Sequence, residues 1–112
     1  MYGVTPPPQH GQLDINVTFN PTQFLLHGKT PTIEIDGYPT TRPWGRYCFD
    51  LWPGMHLLRV WFPYLFGKAG VGAMQFPVHA GYATMIHYEP PLIVHMSGTL
   101  RIVGSRPLGQ GW

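Results

Sequence analysis

Glycine and proline break this chain at short intervals. Together 14 Gly and 13 Pro account for 27 of its 112 residues. A proline inside a helix removes a backbone hydrogen bond and clashes with the preceding turn, and a glycine there costs about 1 kcal/mol. Breakers this closely spaced exclude long helices. Such a composition without a period also fits a disordered chain. The 6 Phe, 4 Trp and 6 Tyr oppose that reading, because chains that cannot build a core are poor in aromatics. Many turns between short strands is the pattern that satisfies both facts.

The strands show as alternation of apolar and polar residues. Leu13, Ile15, Val17 and Phe19 alternate with Gln12, Asp14, Asn16 and Thr18. Ile33 and Ile35 mark a second strand over residues 32–36, closed by the turn pair Asp36-Gly37. Tyr47, Phe49 and Leu51 share a face of a third over 46–51, before Pro53-Gly54, a pair suited to a tight turn. Residues 55–62 are apolar on both faces, as in a central strand. A long glycine-containing loop over 64–72 follows, then strands over 73–79 and 83–89. Pro77 places the former at an edge or a bulge. The last strand spans about 93–103, with a bulge at Ser97-Gly98. About seven short strands predict an all-β, antiparallel sandwich. The domain is expected over residues 12–103, with a Pro-rich tail over 1–11 and a short tail from 104 to 112. Pro6, Pro7 and Pro8 favour an extended polyproline conformation and make a possible ligand for another domain.

The segments Ile33-Glu34-Ile35-Asp36-Gly37, Phe49-Asp50-Leu51-Trp52-Pro53-Gly54-Met55-His56-Leu57-Leu58-Arg59-Val60 and Val78-His79-Ala80-Gly81 resemble the turn and strand pattern of PEGA-type domains. With Trp44-Gly45 and Phe62-Pro63-Tyr64 the pattern also resembles small actinobacterial proteins with Pro-rich ends. The likeness covers roughly residues 32–88. It implies an Ig-like or PEGA-like sandwich and a surface or binding role, and it brings no catalytic residue.

Charge and chemistry narrow the function. Charged residues are 11% of the chain, against roughly 25% in ordinary soluble domains, so uncharged surface is offered to a partner or to itself. The net charge of +2 has no basic run behind it, which argues against nucleic acid. Cys48 stands alone, so no internal disulfide and no thiolate metal cluster can form. The amino-terminal residues lack a basic and then an apolar region, and no apolar run approaches about 18–20 residues. A cytoplasmic location is the expectation. His79, His87 and His95 fall eight apart, without the short pairing of a zinc site, so neither metal nor cofactor is expected. His56 is expected to bond a neighbouring backbone group. Asp36 is claimed by its turn, Asp50 and Glu34 are placed to pair with Arg46 or Arg59, and no two carboxylates converge as acid–base catalysis requires. Gly67, Gly70 and Gly72 lack the helix of a phosphate loop. No enzyme is expected.

The aromatic connections carry the binding hypothesis. With strands running up and down in order, segments 37–45, 63–72 and 90–92 meet at one end. They gather Tyr38, Trp44, Tyr64, Leu65, Phe66 and Leu92, beside Arg42 and Lys68. Such residues serve either as anchors for a protein partner or second copy, or as plugs closing a small core. A peripheral membrane surface and a carbohydrate site are the alternative uses of the same loops. Phe24, Leu25, Leu26 and Trp52 form a second candidate patch at the other end.

Overall fold

The computed structural model describes residues 10–19, 29–64, 67–91 and 96–108. The expectations that fall on the Pro-rich tail, Phe24 to Leu26, Leu65, Phe66, Leu92, His95 and residues 109–112 lie outside them. Eight strands form two four-stranded sheets, and no helix occurs among the described residues. The strands are β1 (Gly11–Val17), β2 (Thr32–Ile35), β3 (Tyr38–Thr41), β4 (Gly45–Leu51), β5 (Gly54–Tyr64), β6 (Gly67–Val78), β7 (Tyr82–Glu89) and β8 (Thr99–Pro107). One sheet has the order β4-β1-β7-β8 and the other β3-β2-β5-β6. This is the expected all-β sandwich.

The inner faces are those read from the alternation. Leu13, Ile15, Val17, Ile86 and Tyr88 of the first sheet meet Ile33, Ile35, Leu58, Val60, Phe76 and Val78 of the second. Each such side chain removed from water contributes about 1.5–3 kcal/mol. Strand β5 is central, as its two apolar faces imply, and Pro77 sits on the edge strand β6. On the outer face of the first sheet Asp14 is only 2% exposed and is held by two arginines. Arg46 donates through Nε at 2.8 Å and Nη2 at 2.6 Å, and Arg106 through Nε at 3.3 Å. The Arg46 hydrogen bonds hold the Asp14 carboxyl below its ordinary value although burial opposes its charge, and the Arg46 charge and Arg106 add to the effect. Arg46 thus pairs with Asp14, whereas Arg59 pairs with Glu34 at 3.1 Å as expected.

Four expectations change. Residues 38–41, read as a connection, form β3 and return along β2. Asp36 (φ 52°) and Gly37 (φ 88°) both take positive φ, the geometry of a two-residue hairpin turn. Of the loop read over 64–72, Tyr64 ends β5 and residues 67–72 begin β6, which pairs with β5, with an irregularity between Val60 and Phe62. Strand β8 starts at Thr99 and runs past Val103 to Pro107, so residues 104–107 belong to the sheet, and the irregularity lies opposite Met85 and Ile86 rather than at Ser97-Gly98. The strands also do not run up and down in order. Strand β1 lies between β4 and β7 and is parallel to β7, a pairing of distant segments that no local pattern reveals.

One flank of the sandwich is stitched shut. The Tyr88 hydroxyl donates to the Gly70 carbonyl at 2.5 Å and Thr84 Oγ1 to the Pro77 carbonyl at 2.5 Å, both from β7 to β6. The Gly98 N–H donates to the Val71 carbonyl at 3.2 Å. Burial pushes the Tyr88 phenol above its ordinary value, so it stays a donor. The contact depends on two glycines. Gly70 has φ +61°, and a methyl added to it would overlap the Phe62 ring and lie 2.9 Å from the Tyr88 hydroxyl. A methyl at Gly98 would overlap the Gly70 carbonyl oxygen and lie 2.6 Å from the Tyr88 ring. Gly98→Ala is expected to cost about 3 kcal/mol by overpacking and a weakened hydrogen bond, read as a lower urea midpoint. Gly67→Ala, where an added methyl meets nothing within 4 Å, is expected to leave the midpoint nearly unchanged.

Candidate functional site

The opposite flank, where β3 faces β4, is open. A slot of about 360 Å³ lies between the two edge strands, lined by Ile35, Asp36, Tyr38, Pro39, Thr40, Phe49, Asp50 and Leu51. Tyr38 pairs with Ile35 and therefore shares its inward face, yet it is 80% exposed because, among the described residues, no strand lies beyond β3. Phe49 and Leu51 pair with Leu13 and Gly11, so they too face inward. They are half-buried where their counterparts on β1 are fully covered. The chain crosses from β3 to β4 through residues 42–44 and closes one end of the slot. There the Arg42 guanidinium sits 5.2 Å from the ring centres of both Tyr47 and Phe49. The slot therefore opens sideways and toward the pole that holds Trp52 and the β2–β3 turn.

At that pole a hydrogen-bonded latch joins two turns. Asp36 Oδ1 accepts from the Leu57 N–H at 2.8 Å, and Asp36 Oδ2 meets His56 Nδ1 at 2.5 Å. His56 Nε2 lies 2.7 Å from the Trp52 carbonyl oxygen, as expected of a ring nitrogen bonding nearby backbone. With Nδ1 on a carboxylate and Nε2 on a carbonyl, both ring nitrogens act as donors in the charged imidazolium. Asp36 does more than serve its own turn, since it ties the β2–β3 turn to β5 and lines the slot mouth.

The six residues expected to bind do not share one end. Tyr38 stands at the slot mouth, beside the pole of Asp36 and Trp52. Trp44 is at the other end, packed against Phe19 at 5.1 Å, Phe62 at 6.1 Å and Tyr88 at 6.4 Å between ring centres. Its indole N–H donates to the Lys29 carbonyl at 2.6 Å. Trp44 is thus a plug of the core. The reason for the separation is β3, which carries the segment 37–45 from one pole to the other. Tyr64 ends β5 and its side chain, like Leu65, Phe66 and Leu92, lies outside the described residues. Phe49 and Leu51 were legible only as ordinary inward strand positions and Thr40 only as part of a connection, and their place on edge strands is what brings them to the slot.

Other chemistry is sparse. Among the described residues no three His, Cys, Asp or Glu side chains are grouped to hold a metal ion. His79 follows β6 at one pole, and His87 lies on β7 opposite Asn16 and Arg101, so the two are apart. Cys48 is exposed, with Arg106 Nη2 at 3.8 Å from its sulfur. On the outer face of the second sheet Met55 and Leu57 are exposed, while Trp61 lies under Lys68 Nζ at 4.2 Å and the Arg59 guanidinium at 5.2 Å. No protein-family model, no curated protein and no solved structure matches this chain.

The latch makes stability depend on pH. Burial disfavours the His56 charge, but the Asp36 hydrogen bond, the Trp52 carbonyl and the Asp36 charge outweigh it and raise its pKa above 6.5. Burial likewise disfavours the Asp36 charge, and the His56 and Leu57 hydrogen bonds lower its pKa below 3.8. The His56 contribution is full below pH 6.5 and is lost as pH rises through the raised value. The Asp36 contribution is full above pH 3.8 and is lost as pH falls through the lowered value. Urea unfolding is therefore expected to show stability falling above pH 6.5, and His56→Gln is expected to flatten that slope.

Proposed function

We propose that this chain is a non-catalytic protein-binding module that takes an extended apolar segment in the slot between β3 and β4. One observation carries the reading. At the slot, inward-facing Tyr38 is exposed and Phe49 and Leu51 are half-buried, beside an arginine already stacked on two rings. Aromatic residues with arginine are the side chains that most often anchor interfaces. The low charge of the chain supports the same reading, since little on the surface repels an apolar partner. The PEGA-like reading belongs to this proposal. Its Asp-Gly and Pro-Gly-x-His positions are the ones that the Asp36–His56 latch joins.

The binding role expected of the aromatic connections moves to the slot, with Tyr38 as the residue common to both. A library of extended apolar nonapeptides, titrated into the intact chain by fluorescence anisotropy, tests it. Binding is expected for a subset. Tyr38→Ser is expected to weaken it about 30-fold, roughly 2 kcal/mol, the cost of truncating an interface anchor. Because Tyr38 is 80% exposed, the thermal midpoint is expected to stay within about 2 °C. Light scattering over a range of concentrations checks for a second copy as the partner, in which case the same substitution dissolves the oligomer. A library with no binder and a monomer at every concentration refutes the reading.

A further inference from the structure

The edge of a sheet is a template for another chain unless something blunts it. Among the described residues the sheets have four edge strands, β3, β4, β6 and β8, and three of them are blunted. The Asp36 N–H donates to the Leu57 carbonyl, so the even-numbered residues of β2 bond to β5 and the odd-numbered ones to β3. Tyr38 and Thr40 answer those odd positions, and Pro39 turns a nitrogen without a hydrogen toward the free side of β3. On β6 the Val71 carbonyl accepts from Gly98 and the Pro77 carbonyl from Thr84, so that edge is spent on the shut flank. Strand β8 loses register with β7 opposite Met85 and Ile86 and ends on Pro107.

Strand β4 carries none of these devices. It pairs with β1 without interruption from Gly45 to Leu51 and contains no proline. Among the described residues no strand lies beyond it. The Thr18 N–H donates to the Tyr88 carbonyl, so the even-numbered residues of β1 bond to β7 and the odd-numbered ones to β4. Leu13 and Ile15 therefore bond to Phe49 and Tyr47, while Arg46, Cys48 and Asp50 point their N–H and C=O groups at the free edge. The side chains of these three residues lie on the outer face, Arg46 58% exposed, Asp50 67% exposed and Cys48 exposed. Arg46 holds Asp14 through Nε and Nη2, which leaves Nη1 for a partner, and Asp50 accepts from Gln12 through Oδ1, which leaves Oδ2.

The order of residues along this edge says what fits it. About Cys48 the strand reads Arg46-Tyr47-Cys48-Phe49-Asp50. Set antiparallel to a second copy with Cys48 opposite Cys48, each Arg46 faces an Asp50 and each Tyr47 faces a Phe49. Opposite charges and paired aromatics directly across a ladder are favourable, and symmetry supplies each pair twice. A slip of two residues either way loses both charge pairs. We propose that β4 is a self-recognition edge, through which two copies pair antiparallel about a two-fold axis at Cys48 and join their four-stranded sheets into one of eight strands. This goes beyond the slot reading, because it uses the backbone edge of β4 and needs neither Tyr38 nor a peptide.

The test is the mass of the intact chain in reducing buffer, by light scattering over roughly 1 µM to 1 mM, the span of moderate to weak affinities. A dimer is expected. Asp50→Lys sets like charges opposite each other twice per dimer and is expected to weaken it at least about tenfold. Glu89→Lys, the same change of charge at an exposed residue of β7, is expected to leave it nearly unchanged. In the unsubstituted chain, deuterium exchange of the Arg46, Cys48 and Asp50 amides is expected to slow as concentration rises, while the Tyr47 and Phe49 amides, already bonded to β1, change little. Diamide is expected to link the dimer through Cys48. Two thiols give up two protons and two electrons, which reduce diamide to its hydrazine, as one S–S bond forms. A hydrogen-bonded antiparallel pair holds its Cα atoms about 5.5 Å apart, within the disulfide range. A monomer at every concentration overturns the proposal, as does a dimer that Asp50→Lys leaves intact or whose Cys48 thiols do not link. A dimer lost with Tyr38→Ser but not with Asp50→Lys also overturns it, and leaves the slot reading standing.

Discussion

The hydroxyl of Tyr88 decides the shape of this protein. It is fully buried, where an unpaired donor costs about 1–3 kcal/mol, and its acceptor is a backbone carbonyl on the other sheet. Meeting that requirement draws β6 against β7 and, through the close approach of Gly98 to Gly70, brings the start of β8 with it. Thr84 repeats the arrangement lower on the same flank. The slot between the edge strands β3 and β4 lies along the other flank.

Polar contacts then organise what the core leaves free. Asp14 carries a charge on the central strand of its sheet and draws in Arg46 from β4 and Arg106 from β8, so that three strands not adjacent in sequence are tied across one outer face. Asp36 and His56 do the same at the pole by joining the turn before β3 to the start of β5. This second tie fixes the mouth of the slot, because Asp36 belongs to both. A loosened latch would leave the β2–β3 hairpin held by β5 pairing alone, and the slot wall is that hairpin.

Aromatic residues of one segment part between core and surface. Trp44 closes the core between Phe19, Phe62 and Tyr88, with its indole nitrogen satisfied by a backbone carbonyl. Tyr38, six residues earlier, stands in solvent. Nothing in the residue types separates them. The short strand between them does, by carrying one to each pole. Tyr47 and Phe49 fall between these extremes, inward by register and shielded on one side by Arg42.

The all-β class, most strand positions and their inward residues were legible in the local pattern. These follow from local alternation and from Gly and Pro placement, and neither signal depends on what lies opposite. The same pattern marked the Asp36-Gly37 turn and a backbone role for His56, because turn geometry is a property of a few adjacent residues. Tertiary structure alone decided that β1 lies parallel to β7, that residues 38–41 pair as a strand, that Asp14 meets two arginines, and that one flank is shut and the other open. Each of these is set by pairing between segments far apart in the chain, where many registers satisfy the same local pattern and packing of the whole core selects one.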